Sequence, residues 1–381
     1  MSITTQAAGL RSALRESLPS VDQAGADPDR DPFFTYLPPS HARALDPDAC
    51  IVEGIRGAGK SFWWAHLSST PHQHFISGAF PEARLKIGVK ALQAFGAQQK
   101  SDDAPSKDVL AKLIQKYPAR AIWRAVCAHK AGFDTPFPKT NRWDARVEWV
   151  QDNPEDFDEL LQKVDQEQER KGQTVVILFD ALDRLAEDWA SIRPLAKGLF
   201  QVTQDLRATK RIRFKLFVRP DMLQDPAITA FPDASKLLAR RAKLDWRRAD
   251  LYALFFQCLA NAINNGVIFR DITGPNLRVN WQRKDGGWLL PSVLRADERL
   301  QEQAFILLAG KAMASGPSGY KRGKPEYVAC ESFAGWLGPS KSSELFCGCS
   351  AGRRSDSFRL SACLRFSGHS GGRPSCIKNS G

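Results

Sequence analysis

Apolar residues recur along this chain with two periods. Thr174-Val175-Val176-Ile177-Leu178-Phe179 is an unbroken apolar, β-branched run that ends in Asp180. Such a run predicts a central parallel strand buried on both faces. Cys50-Ile51-Val52-Glu53 predicts a shorter buried strand, Ile212 to Val218 another, and Arg84 to Val89 one more. Between these runs the period lengthens to that of a helix. Ser106 to Lys116 reads as a helix capped by Ser106, and Pro118 to Lys130 as a second. Pro154 to Lys171 has Asn153 to cap it, proline in its first turn, acids at its start and Gly172 after its end. Trp189, Ile192, Leu195, Leu199, Val202 and Leu206 share one helical face after Asp180. Leu251, Leu254, Phe255, Cys258, Leu259 and Ile263 make the apolar stripe of a later helix. Strands that alternate with helices predict an α/β fold, a mostly parallel sheet between two helical layers. There is no internal repeat.

The pattern divides the chain. Residues 1–32 are rich in Ala, Ser, Asp and Pro and read as a flexible leader. Residues 33–240 hold the strands and form the core, and 241–314 read as a helical or lid region. Residues 315–381 have neither period. Within 328–381 there are twelve Ser, eight Gly and five Cys, with three acids against seven bases. Two readings stay open for this low-order tail. One is a natural disordered segment. The other is translation out of frame after about Tyr327, which accounts for Cys, Phe, Leu and Trp scattered among Ser and Arg.

A length of 381 residues allows one large or two ordinary domains. With 54 Lys and Arg against 42 Asp and Glu the net charge is +12, which excludes an acidic solvating chain. The excess is spread along the sequence, so it does not by itself name a nucleic-acid partner. No run of eighteen apolar residues is present, and Met1 to Pro19 lacks the apolar core of a signal peptide. A cytoplasmic protein without a membrane partner is expected. Of eight cysteines, Cys50, Cys127 and Cys258 stand alone and read as small core residues. The other five fall in the tail with His369, where Cys347-x-Cys349 lacks the spacing of a zinc site.

The sharpest signal is Gly54-Ile55-Arg56-Gly57-Ala58-Gly59-Lys60-Ser61, which fits G-x-x-x-x-G-K-[ST] at every fixed position. Phosphates need several backbone N–H groups close by, and side chains would block that approach. Gly54, Gly57 and Gly59 leave room, and a helix that begins at the loop faces its positive end toward the anion. Arg56, Ala58 and Phe62 complete the candidate cradle. Lys60 is placed to reach the phosphates. The Ser61 hydroxyl is a hard oxygen suited to Mg²⁺. A second metal partner is expected at the end of a neighbouring strand, and Asp180 supplies it. Asp183, three residues on, is a candidate to orient or deprotonate the attacking water. Without a phosphate loop upstream, Asp180 would read as a helix cap and Asp183 as a partner of Arg184. Arg219, at the end of the Ile212–Val218 strand, is a candidate γ-phosphate sensor or a surface partner of Asp221. Arg240 and Arg241 are candidate arginine fingers, though solvated surface suits both.

Together these elements, over residues 45–265, resemble the P-loop ATPases of the additional-strand class, which include the bacterial STAND, AAA+ and KAP-type ATPases. In those proteins a further strand separates the acidic strand from the phosphate-loop strand, and the interval from Lys60 to Asp180 has room for one. Asp180-Ala181-Leu182-Asp183-Arg184 is similar to an extended Walker B, and Arg219-Pro220 to a sensor strand. The resemblance implies ATP and Mg²⁺ at Gly54–Ser61, with hydrolysis coupled to conformation or assembly. It also implies a homo-oligomer or partner protein, and a role as a switch or in phage defence. One departure is Ala181, where the usual second acid of Walker B is missing. A competing reading is a nucleotide-gated nucleic-acid-binding protein. It rests on Arg207, Lys210, Arg211, Arg213, Lys215, Lys236, Arg240, Arg241, Lys243, Arg247 and Arg248, with Phe214, Phe217 and Trp246 nearby. A small-molecule phosphotransferase also fits the loop, although such enzymes are usually shorter.

Overall fold

A computed structural model describes residues 3–17, 31–85 and 88–309. All of them belong to the first of the two units into which the chain divides, Met1–Ser340. The tail 315–381, with its five cysteines and both readings given above, lies outside the described residues.

Five strands form one parallel sheet: β1 (Ile51–Glu53), β2 (Val89–Gln93), β3 (Thr174–Phe179), β4 (Ile212–Val218) and β5 (Ala242–Lys243). Their order across the sheet is β2-β3-β4-β1-β5. A separate antiparallel hairpin joins β6 (Gln282–Lys284) to β7 (Gly287–Leu289). Helices fill the connections. The first eight are α1 (Ile3–Ser17), α2 (Lys60–His66), α3 (Thr70–Ala79), α4 (Lys107–Lys116), α5 (Ala119–Ala131), α6 (Trp143–Asp152), α7 (Pro154–Arg170) and α8 (Trp189–Asp205). Short helices α9 (Pro220–Gln224), α10 (Pro226–Thr229) and α11 (Ala234–Leu238) follow β4. After β5 come α12 (Arg248–Ala260), α13 (Gly266–Leu277), α14 (Ser292–Ala296) and α15 (Glu298–Ala309). None of the described helices is long and apolar enough to cross a membrane. The architecture is α/β, with a parallel sheet and many helices.

The central strands are largely apolar because both sides of them are covered. Val175, Ile177 and Phe179 of β3 join Phe214, Leu216 and Val218 of β4 in a core with α5, α7 and α8. Val176 and Leu178 point the other way and are equally buried. There the α2 residue Trp64 donates its indole N–H to the Leu178 carbonyl at 3.2 Å. Ser106 caps α4 by accepting from Val109 N–H. Asn153 does not cap α7 with its side chain; its amide donates to the Trp149 carbonyl instead. Cys50, Cys127 and Cys258 are buried core residues.

Several expectations are corrected. Ile3–Ser17 within the leader is a helix, with Leu10 and Ala13 buried and Glu16 accepting from the backbone and side chain of Asn264. The second strand begins at Val89 rather than Arg84, because Gly88 has φ +79°, a left-handed conformation that a strand cannot include. The sheet continues past 240 through β5, so the boundary between core and helical region falls later. That region also contains the β6–β7 hairpin. The stripe drawn for the later helix fails: α12 is buried almost all round, and Ile263 lies beyond it, 86% exposed. Trp189 is 39% exposed and contributes little to the buried face of α8.

One polar residue is locked inside the sheet. Lys215 of β4 is 1% exposed, and its ammonium donates to the carbonyls of Ala44, Asp46 and Ala49 at 2.8, 2.8 and 2.6 Å. Burial pushes its pKa down to about 8, which still leaves it charged at neutral pH with three donors for three acceptors. It fastens the segment ahead of β1 to the strand beside it. Replacing Lys215 by Met removes the ammonium from the buried Ala44 and Ala49 carbonyls, while the Asp46 carbonyl keeps the Ala49 N–H as a donor. Lys215→Met is expected to cost about 2–4 kcal/mol of stability. In urea unfolding this reads as a lower midpoint at an unchanged slope.

Candidate functional site

Parallel pairing brings the carboxyl ends of three strands to one edge of the sheet, with β3 ending two residues short of β1 and β4. Glu53 of β1 pairs with Val218 of β4, and Leu216 of β4 pairs with Phe179 of β3. The residues that follow, Gly54, Arg219 and Asp180, therefore leave the sheet along the same edge, with β4 between the other two strands. This is where open α/β sheets bind ligands.

The loop leaving β1 turns through two glycines that need left-handed backbone, Gly57 at φ +84° and Gly59 at φ +94°. A side chain at either would be strained. The α2 helix then starts at Lys60. Its first backbone bond runs from Trp63 N–H to the Gly59 carbonyl at 3.0 Å. Among the described residues, the N–H groups of Gly59, Lys60 and Ser61 have no protein acceptor. Lys60 folds over the loop, donating to the Gly54 and Ile55 carbonyls at 2.9 and 2.8 Å. Burial lowers its pKa, while Asp180 and Asp183 act in the opposite direction. Arg56 and Ile55 are exposed on the loop and Ala58 is buried in it. Phe62 stacks on His66 with ring centroids 4.0 Å apart.

Ser61 Oγ donates to Asp180 Oδ2 at 2.5 Å, joining the loop to the end of β3. Asp180 is 1% exposed, and burial raises its pKa above the ordinary carboxylate range against the lowering effect of the Ser61 bond. It does not cap a helix; Asp188 caps α8. Directly after it, Ala181 has φ +53°, a left-handed conformation unusual for a residue with a Cβ. That turn is followed by a 3₁₀ segment, Leu182–Arg184, which carries Asp183. Asp183 accepts from Arg219 at 3.2 Å, and Arg219 also makes a two-pronged pair with Asp221 at 3.1 and 2.9 Å. Lys60, Ser61, Asp180, Asp183 and Arg219 are thus brought together.

The remaining basic candidates lie elsewhere or are already engaged. Arg241 pairs with Glu53 of its own chain at 2.7 Å, which occupies one candidate finger. Lys210, Arg213, Lys236, Arg247 and Arg248 pair with Glu169, Asp48, Asp233, Asp250 and Glu298. Lys215 is inside the sheet, as are Phe214 and Phe217. Arg207 and Arg211 bond to the neutral side chains of Gln204 and Thr174. Among the described residues there is no cluster of three or more His, Cys, Asp or Glu able to hold a metal ion.

Two residues at this edge escaped the sequence reading. Trp246 donates its indole N–H to the Ala58 carbonyl inside the loop, at 3.0 Å. His41 sits between Trp246 and Trp63, and its Nδ1 accepts from Trp63 Nε1 at 3.2 Å. Burial holds the His41 pKa down at about 3, so the ring is neutral and able to accept. No local motif marks either residue. Their role depends on β5, which is only two residues long.

Comparison with protein-family models, with curated proteins and with solved structures gives no match.

The raised pKa of Asp180 has a consequence for stability. A carboxyl whose folded pKa exceeds its unfolded value adds stability below the unfolded value, and that stability is lost as pH rises through the folded pKa. The ionised form of this buried carboxyl is therefore a burden on the protein. Asp180→Asn is expected to raise its melting temperature at pH 7. The gain should shrink as pH falls toward 4, as scanning calorimetry across that range will show.

Proposed function

We propose that this protein is an ATP-binding P-loop ATPase with a three-layer α/β/α core of the additional-strand type, acting with Mg²⁺. The observation that carries the reading is the 2.5 Å bond between Ser61 and Asp180, residues 119 positions apart that lie on the loop after β1 and at the end of β3. The strand between them, β4, follows Asp180 in sequence rather than falling in the interval from Lys60 to Asp180, and a strand in that position supports the reading.

The chemistry follows from the residues at this edge. The N–H groups of Gly59, Lys60 and Ser61 would donate to phosphate oxygens. Lys60 would exchange two loop carbonyls for phosphate, gaining a charge-assisted bond in place of neutral ones. Ser61 Oγ and the Asp180 carboxylate are two hard oxygens side by side, and they fit a Mg²⁺ site. Bound there, Mg²⁺ would offset the phosphate charge. Its arrival would also compensate the buried Asp180 carboxylate. With Ala181 in place of a second acid, Asp183 is the remaining carboxylate near enough to orient a water. Arg219 holds Asp183 and would be drawn toward a γ-phosphate, linking the nucleotide state to the position of that carboxylate. The helical region after β5 would receive the signal. Assembly with further copies or a partner protein, in a regulatory or defence setting, follows from the resemblance.

The test is phosphate release from Mg²⁺-ATP by the purified full chain, with nucleotide affinity measured in parallel. Lys60→Ala is expected to weaken ATP binding about 10- to 100-fold. Asp180→Ala is expected to abolish turnover and remove the Mg²⁺ dependence of binding. Absence of nucleotide binding by the unaltered protein would overturn the reading.

A further inference from the structure

The chain that leaves the sheet after β5 also backs the loop. Leu244 N–H donates to the Glu53 carbonyl at 2.8 Å, carrying the β1–β5 pairing one residue further. Its Cβ would lie 3.4 Å from a Cβ added at Gly54, so this strand end packs on the first glycine of the loop. Ser40 Oγ holds the next residue by donating to the Asp245 carbonyl at 2.5 Å. Trp246 follows, with its indole N–H on the Ala58 carbonyl and its ring edge-on to His41, centroids 5.0 Å apart. Two residues later α12 begins.

The bond to Ala58 matters because of what a peptide plane does. The carbonyl of one residue and the N–H of the next point in opposite directions across a trans peptide. Holding the Ala58 carbonyl toward Trp246 turns the Gly59 N–H the other way. Among the described residues that N–H has no protein acceptor, and a Cβ added at Gly59 meets nothing within 4 Å. Because α2 takes its first backbone bond at Gly59, the Ala58 carbonyl is left for the indole. A rotation of this peptide would break the Trp246 bond and withdraw the N–H together.

We propose that Trp246 is a positioning residue of the phosphate loop: it fixes the Ala58–Gly59 peptide with the N–H presented to the anion, and so ties the start of the helical region to the loop's occupancy. The proposal rests on the nucleotide-binding reading above and names a residue outside its motif. The same bond works in both directions. Anything that moves the segment Leu244–Arg247 changes the loop, and phosphate on the loop steadies that segment.

The experiment compares Mg²⁺-ATP affinity and melting temperature for the full chain and for Trp246→Phe, which keeps an aromatic ring and removes the donor. Trp123→Phe is the control. Trp123 likewise donates its indole N–H to a carbonyl, that of Leu195 at 2.8 Å, within the core away from the loop. Trp246→Phe is expected to bind ATP about three- to tenfold more weakly, the equivalent of one ordinary hydrogen bond. Trp123→Phe is expected to melt lower and bind as the unaltered protein does. If the unaltered protein binds ATP through Lys60 and Trp246→Phe binds it equally well, the positioning role is overturned while the loop reading stands. If the unaltered protein binds no ATP, both fall. Hydrogen exchange on the unaltered protein decides the matter should Trp246→Phe fail to fold. Mg²⁺-ATP is then expected to slow amide exchange in 54–62 and also in 244–250, and protection confined to the loop overturns the proposal.

Discussion

The candidate site depends on the register of three parallel strands. Ser61 and Asp180 are carried by different strands, and nothing in their local sequence brings one to the other. They meet because β4 lies between β1 and β3 in parallel register, so that all three strands end along one edge, Glu53 opposite Val218 and Phe179 opposite Leu216. A slip of one residue in any of these pairings would turn every side chain of that strand to the opposite face. With both faces of β3 and β4 largely apolar, the hydrophobic pattern by itself does not forbid such a slip. Lys215 opposes it, because its ammonium is met by three carbonyls only in this register. Core packing and site geometry are here one constraint.

The site itself runs against stability. Asp180 is a carboxylate inside the fold, Lys60 is a partly buried ammonium, and Ala181 sits in left-handed backbone without being glycine. Each is offset locally: by the Ser61 hydroxyl, by two loop carbonyls, and by the packing of Leu182 and Leu185 on the core. On the proposed reading, a phosphate would replace the two carbonyls at Lys60 and a cation the Ser61–Asp180 bond. An arrangement that is moderately satisfied when free can exchange its bonds at little cost, and that suits a reversible ligand better than a rigid one.

The parts legible in the sequence were those with dense local signals. β3 and β4 are long apolar runs, α4 and α7 carry caps or proline at their starts, and the glycine and lysine spacing of Gly54–Ser61 is a motif in its own right. β5 was missed because two residues, Ala242 and Lys243, carry no period. With it went the path that brings Trp246 to the loop, and Trp246 was grouped with basic residues it does not serve. The hairpin was missed for a lesser reason, since Asp285-Gly286 between short strands is a turn signal and both residues have the positive φ such a turn requires. The basic run is only partly legible, because linear sequence does not show that Lys215 points into the sheet or that Lys210 and Arg248 face Glu169 and Glu298 on remote helices.

The N-terminal segments are held by residues made much later. Glu16 of α1 binds Asn264, and Gln257 of α12 donates to the carbonyls of Phe33 and Trp288 while accepting from Leu290 N–H. During synthesis, Glu16 and the Phe33 carbonyl therefore meet these partners only once residues 257–264 have emerged, although the Phe33 ring can pack on Phe75 before then. The β1–β4 pairing can form earlier, but the layer that Phe33 and α1 complete closes last. A chain interrupted before α12 would display that apolar N-terminal surface to solvent, which makes it a substrate for chaperones rather than a smaller folded protein.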